Sequence, residues 1–259
     1  MDKIEIDSKA LDYRIYVHDH FSKSDFDGWV INKLNLKKGL LVLDVGCGSG
    51  KHLFEIASKI GASGSVVGID TSLESLRKCE NKIKERNAKN ISVLQCDLSE
   101  IGDALKDRAD SFDRVLSSFA IYYTKNAPVT FGDIFALLSD GGSLFMCGPT
   151  KKNNLEFLEL VQEAGGTFSE DFLKWSHFLE HDVTALLHST FQDVHTEYFN
   201  NPIEFPNAEV LVNYWKATPL YDKKIENRMR ALVAQKFKQN KVFVSNKVII
   251  GISCTKHVR

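Results

Sequence analysis

The chain has 259 residues, with 33 basic and 34 acidic side chains and a formal net charge of −1. This length suits one large α/β domain, or one domain with an appended lid. The even charge balance disfavours a protein that binds DNA or RNA through the phosphate backbone, because such proteins usually carry a basic excess. A local basic patch stays open around Lys223, Lys224, Arg228 and Arg230.

Membrane insertion, export and metal binding all lack sequence signals. No apolar run approaches the roughly 18–20 residues that a membrane-spanning helix needs, and the charged segment "MDKIEIDSKALDY" resembles neither a secretory signal nor a transit peptide. The five cysteines are scattered without a CxxC pair, which indicates neither a zinc site nor a disulfide framework. We therefore expect a cytoplasmic protein, monomeric or homodimeric, with no metal.

Strand and helix patterns alternate between residues 40 and 149. Short apolar runs predict strands at 40–45, 65–69, 91–96, 112–118 and 143–148. Helical periodicity predicts helices at 51–60, 72–87, 99–106 and 128–138. This alternation predicts βαβ units and a parallel sheet covered on both faces. Asp140, Gly141 and Gly142 should form the turn before the last of these strands.

The flanking segments are less regular. Residues 1–39 are expected to form an N-terminal helical cap. After residue 150 we predict substrate-side helices and the last strands, namely helices at 153–165, 207–216 and 222–238 and strands at 193–199 and 241–254. A lid insertion at about 200–240 would separate the last two strands. The whole chain is predicted to form a single domain.

The stretch "LDVGCGSG" joins the first predicted strand to the next helix. Gly46, Gly48 and Gly50 lack a Cβ, so the turn can be tight and its backbone can approach a ligand. The spacing is GxGxG, whereas a dinucleotide fingerprint is GxGxxG and a P-loop has four residues between its glycines. Asp44 at the strand end would repel a pyrophosphate but attract an ammonium or sulfonium group.

Two more acidic residues follow neighbouring strands. Asp70 ends the second strand in "VVGID", where a carboxylate can accept hydrogen bonds from ribose hydroxyls. Asp97 ends the third strand in "SVLQCD", where a carboxylate can accept from an exocyclic amine. The carboxyl ends of parallel strands are where open α/β sheets bind ligands. Helix capping is the alternative role for both residues.

As a set, "LDVGCGSG", "GID", "CDL", "FDRVLSSFAIYY" and "LLSDGGSLFMCGP" resemble the class I S-adenosylmethionine-dependent methyltransferases over about 40–149. The resemblance implies a Rossmann-like, doubly wound α/β fold. Its sheet would be seven-stranded and mostly parallel, with the C-terminal strand as an antiparallel edge and a helical lid insertion. The implied cofactor is S-adenosyl-L-methionine, with S-adenosyl-L-homocysteine as the product.

The resemblance also implies the residues around that cofactor. The three glycines would lie under its methionine part, with Asp44 near the amino group. Asp70 and the adjacent Thr71 would be at the ribose, and Asp97 with Leu98 at the adenine. Ser117 would contact the amino acid part through its backbone. Cys47 lies inside the loop, although a small buried filler is its main interpretation.

The methyl acceptor is less constrained by the sequence. Tyr122 and Tyr123 follow the fourth strand and are candidate catalytic residues, because an aromatic face favours a cation. His18 is a candidate base. The candidate substrate contacts are aromatic and flank the core, at Tyr13, Tyr16, Trp175, Tyr214 and Trp215. Core packing is the alternative role for all of these aromatic residues.

We therefore expect a methyltransferase that acts on N or O of a small-molecule metabolite. The segment "SSFA" differs from the Asn/Asp-Pro-Pro-Tyr/Phe of the similar DNA amine methyltransferases, which argues against DNA. The paired glutamates of protein arginine methyltransferases are also missing there. The alternatives are a methyltransferase for a protein or RNA, a non-catalytic cofactor-binding scaffold, and a dehydrogenase.

Overall fold

The computed structural model describes residues 8–257, so residues 1–7 of the predicted cap and residues 258–259 lie outside the described part. Its strands are β1 (Leu41–Val45), β2 (Ser65–Asp70), β3 (Ile91–Gln95), β4 (Phe112–Ser118), β5 (Leu138–Pro149), β6 (Gln192–Phe205) and β7 (Phe243–Thr255). These described strands form one seven-stranded sheet in the order β3-β2-β1-β4-β5-β7-β6.

Strand β1 lies inside the parallel part of the sheet. It pairs in parallel with β2 on one side and with β4 on the other, and β3 and β5 extend the parallel pairing outward. Asp44 is in register with Gly68 of β2 and Leu116 of β4. Because β1 is paired on both sides, the loop that follows it leaves from the interior of the sheet.

The C-terminal strand is not an edge strand. Strand β7 lies between β5 and β6, and β6 takes the edge position. The backbone N–H of Thr150 donates to the carbonyl of Val248, and that of Lys256 donates to the carbonyl of Gly142. Strands β5 and β7 therefore run antiparallel. The predicted Rossmann-like α/β class with a mostly parallel seven-stranded sheet is confirmed, and only the place of the last strand differs.

Helices connect these strands and cover the sheet on both sides. They are α1 (Ser8–Phe21), α2 (Phe26–Lys33), α3 (Leu53–Ile60), α4 (Leu73–Glu85), α5 (Ile101–Ala104), α6 (Ala127–Leu137), α7 (Leu155–Glu163), α8 (Glu170–His177), α9 (Thr184–Thr190), α10 (Ala208–Lys216) and α11 (Glu226–Gln239). Ser72 caps α4, accepting a hydrogen bond from the Ser75 N–H at 3.2 Å.

The predicted turn at Asp140–Gly142 is wrong, because these residues belong to β5. Phe112 of β4 pairs with Leu138, whereas Arg114 pairs with Ser143, so the extra residues of β5 bulge out of the pairing. Gly141 has a φ of 72°, a conformation that glycine adopts without strain. The glycines therefore allow a bulge within one strand rather than a turn between two elements.

Two compact units make up the chain. The major unit contains residues 26–149, 175–198 and 250–257, and the minor unit contains residues 8–25, 150–174 and 199–249. The major unit has a core of apolar residues from the sheet and from α5, α6 and α9, including Leu43, Phe112 and Phe131. The minor unit has a core that is rich in aromatic residues, including Phe157, Tyr214 and Trp215.

Candidate functional site

The loop after β1 is held in a tight left-handed path. Gly46, Gly48 and Gly50 have φ values of 79°, 53° and 84°. The backbone N–H groups of Gly46 and Cys47 both donate to the carbonyl of Ile69, at 2.8 and 2.9 Å. These two bonds anchor the loop to the end of β2, and positive φ values favour glycine at all three positions.

The three glycines differ in what lies around them. A Cβ on Gly46 would overlap the Cβ of Ala120, and a Cβ on Gly50 would lie 2.5 Å from the Sγ of Cys79. A Cβ on Gly48 would meet nothing within 4 Å. The neighbours therefore leave no room for a side chain at Gly46 or Gly50, whereas at Gly48 the space where a Cβ would lie is open.

Asp44 is a buried carboxylate beside this loop. Its side chain is 1% exposed, and its Oδ2 atom has no hydrogen-bond partner among the described residues. Burial raises the pKa of Asp44 to about 6, and the negative charge of Asp70 acts in the same direction while His52 opposes it. A buried carboxylate oxygen without a donor is suited to accept from a cationic group that enters the loop.

Asp70 joins the end of β2 to the glycine loop. Its Oδ2 accepts from the Gly48 N–H and its Oδ1 accepts from the Ser72 N–H, each at 2.8 Å. Each carboxylate oxygen has a second lone pair, so both can still accept from a ligand's hydroxyls. Thr71 is exposed, and its carbonyl accepts from the Gln95 amide at 3.1 Å.

Asp97 caps the short 3₁₀ turn that follows β3. Its Oδ1 accepts from the backbone N–H of Ser99 at 2.9 Å and from the Ser99 hydroxyl at 2.6 Å. These bonds hold the pKa of Asp97 below its usual range. Leu98 packs against the major core and is half-buried. The capping role considered for Asp97 is therefore present, and it leaves the Oδ2 atom outside these two bonds.

Ser117 at the end of β4 and Cys47 in the loop after β1 are both buried. The Ser117 hydroxyl donates to the carbonyl of Val45 at 3.1 Å and so links β4 to β1. The Sγ of Cys47 fills space that a Cβ on Gly68 would occupy, at 2.7 Å. Burial raises the pKa of the Cys47 thiol, which keeps it neutral, so the structure supports its interpretation as a packed filler.

His52 and Asp27 are polar residues of the site that the sequence did not single out. The His52 ring is buried, and its Nε2 lies 3.1 Å from Asp27 Oδ1, while Lys51 pairs with the other oxygen at 3.0 Å. Phe26 packs against both His52 and Phe119. Asp27 precedes β1 in the chain, and no local pattern predicts a contact over that separation.

Tyr122, Tyr123 and Trp175 form an aromatic cluster in the major unit. Their ring centroids are 4.7 Å (Tyr122–Tyr123), 5.0 Å (Tyr123–Trp175) and 6.4 Å (Tyr122–Trp175) apart. Tyr122 packs closely against Gly148 of β5 and is buried, while Tyr123 is 43% exposed. The structure thus brings Trp175 against the adjacent residues Tyr122 and Tyr123, from which it is distant in the chain.

The other predicted aromatic and histidine residues lie in the minor unit. Trp215 is 0% exposed and donates its indole N–H to the carbonyl of Leu220. The Tyr214 ring is buried between those of His18, Phe157 and Phe205. Trp215 therefore has the core-packing role that was its alternative.

Tyr13 and Tyr16 lie on one face of α1. Their ring centroids are 5.9 Å apart, and Tyr16 stacks on His20 at 4.2 Å. Tyr13 hydrogen bonds to Asn213 of α10, and burial is the largest cause of the rise in its pKa. Tyr16 is exposed and so remains accessible to a ligand, whereas Tyr13 is half-buried.

Metal-ligand clusters and membrane-spanning helices are absent from residues 8–257. No group of three His, Cys, Asp or Glu side chains there is arranged to hold a metal ion. None of the described helices is long and apolar enough to cross a membrane. A surface depression of about 540 Å³ lies against Phe54, Ser58 and Asn90, on residues that the predicted site does not include.

The chain matches a family model described as a methyltransferase domain over residues 36–229. It is 32% identical over 132 residues to aklanonic acid methyltransferase DauC of Streptomyces sp. (strain C5), covering 49% of this chain and 58% of that protein. It is 29% identical over 224 residues to phosphoethanolamine N-methyltransferase 1 of Zea mays, covering 80% of this chain and 43% of that protein. The chain thus spans about half the length of these curated relatives.

Solved structures share the fold at low sequence identity. The YcgJ protein of Bacillus subtilis superposes with a TM-score of 0.61 at 14% identity, over 90% of this chain and 98% of that one. Phosphoethanolamine N-methyltransferase 2 of Haemonchus contortus, solved with S-adenosyl-L-methionine, gives 0.61 at 17% identity over 99% and 59%. Because the family model covers most of the sequence, the chain belongs to the methyltransferase-domain family of class I S-adenosylmethionine-dependent methyltransferases.

Proposed function

We propose that this protein is a cytoplasmic S-adenosylmethionine-dependent methyltransferase that transfers a methyl group to N or O of a small-molecule metabolite. One observation carries the proposal. The Oδ2 atom of Asp44 is buried without a partner among the described residues, and in the loop that follows, a Cβ on Gly48 would meet nothing within 4 Å. The first is suited to an ammonium group and the second to a ligand that lies directly on the main chain.

The described residues fit this cofactor. Asp44 Oδ2 would accept from the amino group of its methionine part, which would supply the donor that the buried carboxylate lacks. Asp70 is held at the loop by two backbone N–H groups and would accept from the ribose hydroxyls. Asp97, Leu98 and the backbone of Ser117 would complete the contacts.

When bound, the cofactor supplies an activated methyl group on a sulfonium centre. The chain's own residues then need to orient the acceptor and exclude water, since in-line displacement gains most from proximity and alignment. The aromatic cluster of Tyr122, Tyr123 and Trp175 presents ring faces of the kind that attract a cation. We assign it to the region of the transferred methyl group.

A small-molecule acceptor is supported by the relatives and by charge. Similar proteins are named as methyltransferases of aklanonic acid, phosphoethanolamine and demethylmenaquinone, which are all small molecules. The net charge of −1 offers no overall attraction to nucleic acid. Tyr123 provides exposed aromatic surface suited to a small organic molecule.

The direct test is to incubate the protein with methyl-labelled S-adenosylmethionine and a metabolite extract, and to identify labelled products by mass spectrometry. We expect label in a compound of low molecular mass. Label in protein or RNA would overturn the small-molecule acceptor, and no transfer despite cofactor binding would favour a scaffold.

Asp70→Ala tests the ribose contact. Losing this acceptor should weaken cofactor binding by about 1–3 kcal/mol, as expected for hydrogen bonds to a charged group. Glu74→Ala, an exposed acid on α4, is the matched control and should bind normally. Unchanged affinity in Asp70→Ala, measured by calorimetry, would mean that the ribose assignment is wrong.

A further inference from the structure

Arg14 of α1 is half-buried and has no counter-ion among residues 8–257. Its Nε atom is buried and has no hydrogen-bond partner, and no ion pair joins Arg14 to a carboxylate among the described residues. Burying a charged group without a partner is unfavourable, so such a group persists where something else offsets its cost. Arg14 is therefore the starting point for a ligand site in the minor unit.

Further hydrogen-bonding groups surround Arg14. His18 lies one helical turn further along α1, on the same face as Arg14. The Tyr214 ring meets the His18 ring edge-on at 5.8 Å, and the charge of Arg14 acts on the buried Tyr214 hydroxyl. Lys247 of β7 brings its Nζ to 3.5 Å from His18 Nε2. Arg14, His18, Tyr214 and Lys247 are called the Arg14 cluster.

Three acidic side chains of the minor unit are engaged with other partners. Glu156 accepts from the Asn246 backbone and side chain, and Glu204 pairs with Lys23. Glu226 pairs with Lys216 and Arg230. The Arg14 cluster thus combines an arginine, a lysine, a histidine and a tyrosine, and these three carboxylates bind other residues.

We propose that the Arg14 cluster binds an oxyanion, either a carboxylate or a phosphate group. The planar guanidinium of Arg14 would bind two oxygens at once, and Lys247 would add a point charge. Anion binding requires only residues of the minor unit, so it does not depend on the proposed function.

The test measures binding to the full chain by calorimetry and thermal unfolding, without methyl donor, using inorganic phosphate and acetate as separate probes. Sodium chloride at matched ionic strength is the reference. We expect at least one probe to bind saturably and to raise the midpoint of unfolding. Arg14→Gln and Lys247→Gln should each weaken that binding about tenfold or more, since each removes a charge-assisted contact. Lys241→Gln removes one exposed charge near the start of β7 and should bind like the wild type.

The midpoint of thermal unfolding distinguishes an anion-binding role of Arg14 from a structural role. Without anion, Arg14→Gln should unfold at the same temperature as the wild type or higher, because it removes an unpaired buried charge. A lowered midpoint would show that Arg14 supports the fold. Failure of both probes to bind, or equal binding by Arg14→Gln and Lys241→Gln, would overturn the anion site.

Discussion

The two units of this chain use polar and aromatic residues in different ways. In the major unit, the buried Asp44 Oδ2 atom has no hydrogen-bond partner among the described residues, and a Cβ on Gly48 would meet nothing within 4 Å. In the minor unit, Tyr214 and Trp215 fill the core. Unsatisfied or strained groups are typical of a binding site, whereas residues that fill a core stabilise the unit that contains them.

The largest expected effect is a difference in stability loss between alanine substitutions at Trp215 and Trp175. Trp215→Ala removes a fully buried ring from the minor core and should destabilise the protein by about 3–5 kcal/mol. Trp175→Ala removes a half-buried ring of the aromatic cluster, so methyl transfer should fall while stability changes much less. Denaturant unfolding and activity measure both variants. Equal losses of stability would erase the contrast between the two aromatic groups.

The next effect concerns Gly46. Alanine there would combine an unfavourable positive φ with overlap against Ala120, destabilising the fold by about 2–5 kcal/mol. Gly39→Ala is the matched control, since Gly39 also has positive φ but a Cβ would lie 3.7 Å from its nearest neighbour, Ser63 Oγ. It should lose only about 1–2 kcal/mol. Similar losses in both variants would show that the contact with Ala120 is unimportant.

Asp44→Asn should increase stability while it weakens binding. Above pH 6 the folded state holds a buried charge whose pKa is raised to about 6, so removing that charge should stabilise the apoprotein by up to about 3 kcal/mol. The gain should be absent below about pH 4, where the carboxyl is protonated in both states, and grow as the pH rises to about 6. Unfolding of both proteins between about pH 4 and pH 7 measures it. A gain independent of pH would contradict the origin in a buried charge.

Cofactor affinity should follow the same titration. Wild-type binding should weaken as the pH falls below about 6, because the protonated Asp44 no longer attracts an ammonium group. Asp44→Asn should bind weakly throughout and lose this dependence. Calorimetry at several pH values measures it, and a wild-type affinity that does not change between pH 5 and 7 would contradict the assignment of Asp44.

Local sequence patterns predicted most of the major unit. Strand and helix ends up to residue 137 agree within two or three residues, because buried strands and amphipathic helices carry short-range periodicity. The glycine pair at Gly141 predicts a turn, whereas the structure has a bulge there, because glycine pairs occur in both turns and bulges. The place of β7 inside the sheet depends on pairing between distant segments, which no local pattern contains.

The arrangement of the glycine loop follows from the sequence more directly than the surroundings of the candidate aromatic residues. Gly46, Asp44 and Asp70 are close together in the chain or at neighbouring strand ends, and their spacing can be read directly. The pairing of Asp27 with His52, and the approach of Lys247 to His18, join distant segments. The sequence also could not separate Trp215 from Trp175, because burial is a property of the folded unit.

The central claim is that the open backbone at Gly48 is a cofactor site, and Gly48→Ala tests it most directly. A Cβ there meets no neighbour, so the variant should fold with a loss of only about 1–2 kcal/mol from its positive φ. Calorimetry should show S-adenosylmethionine, and not NAD, binding to the wild type, and affinity at least tenfold weaker in the folded Gly48→Ala. Unchanged affinity in that variant, or binding of NAD alone, would contradict the account.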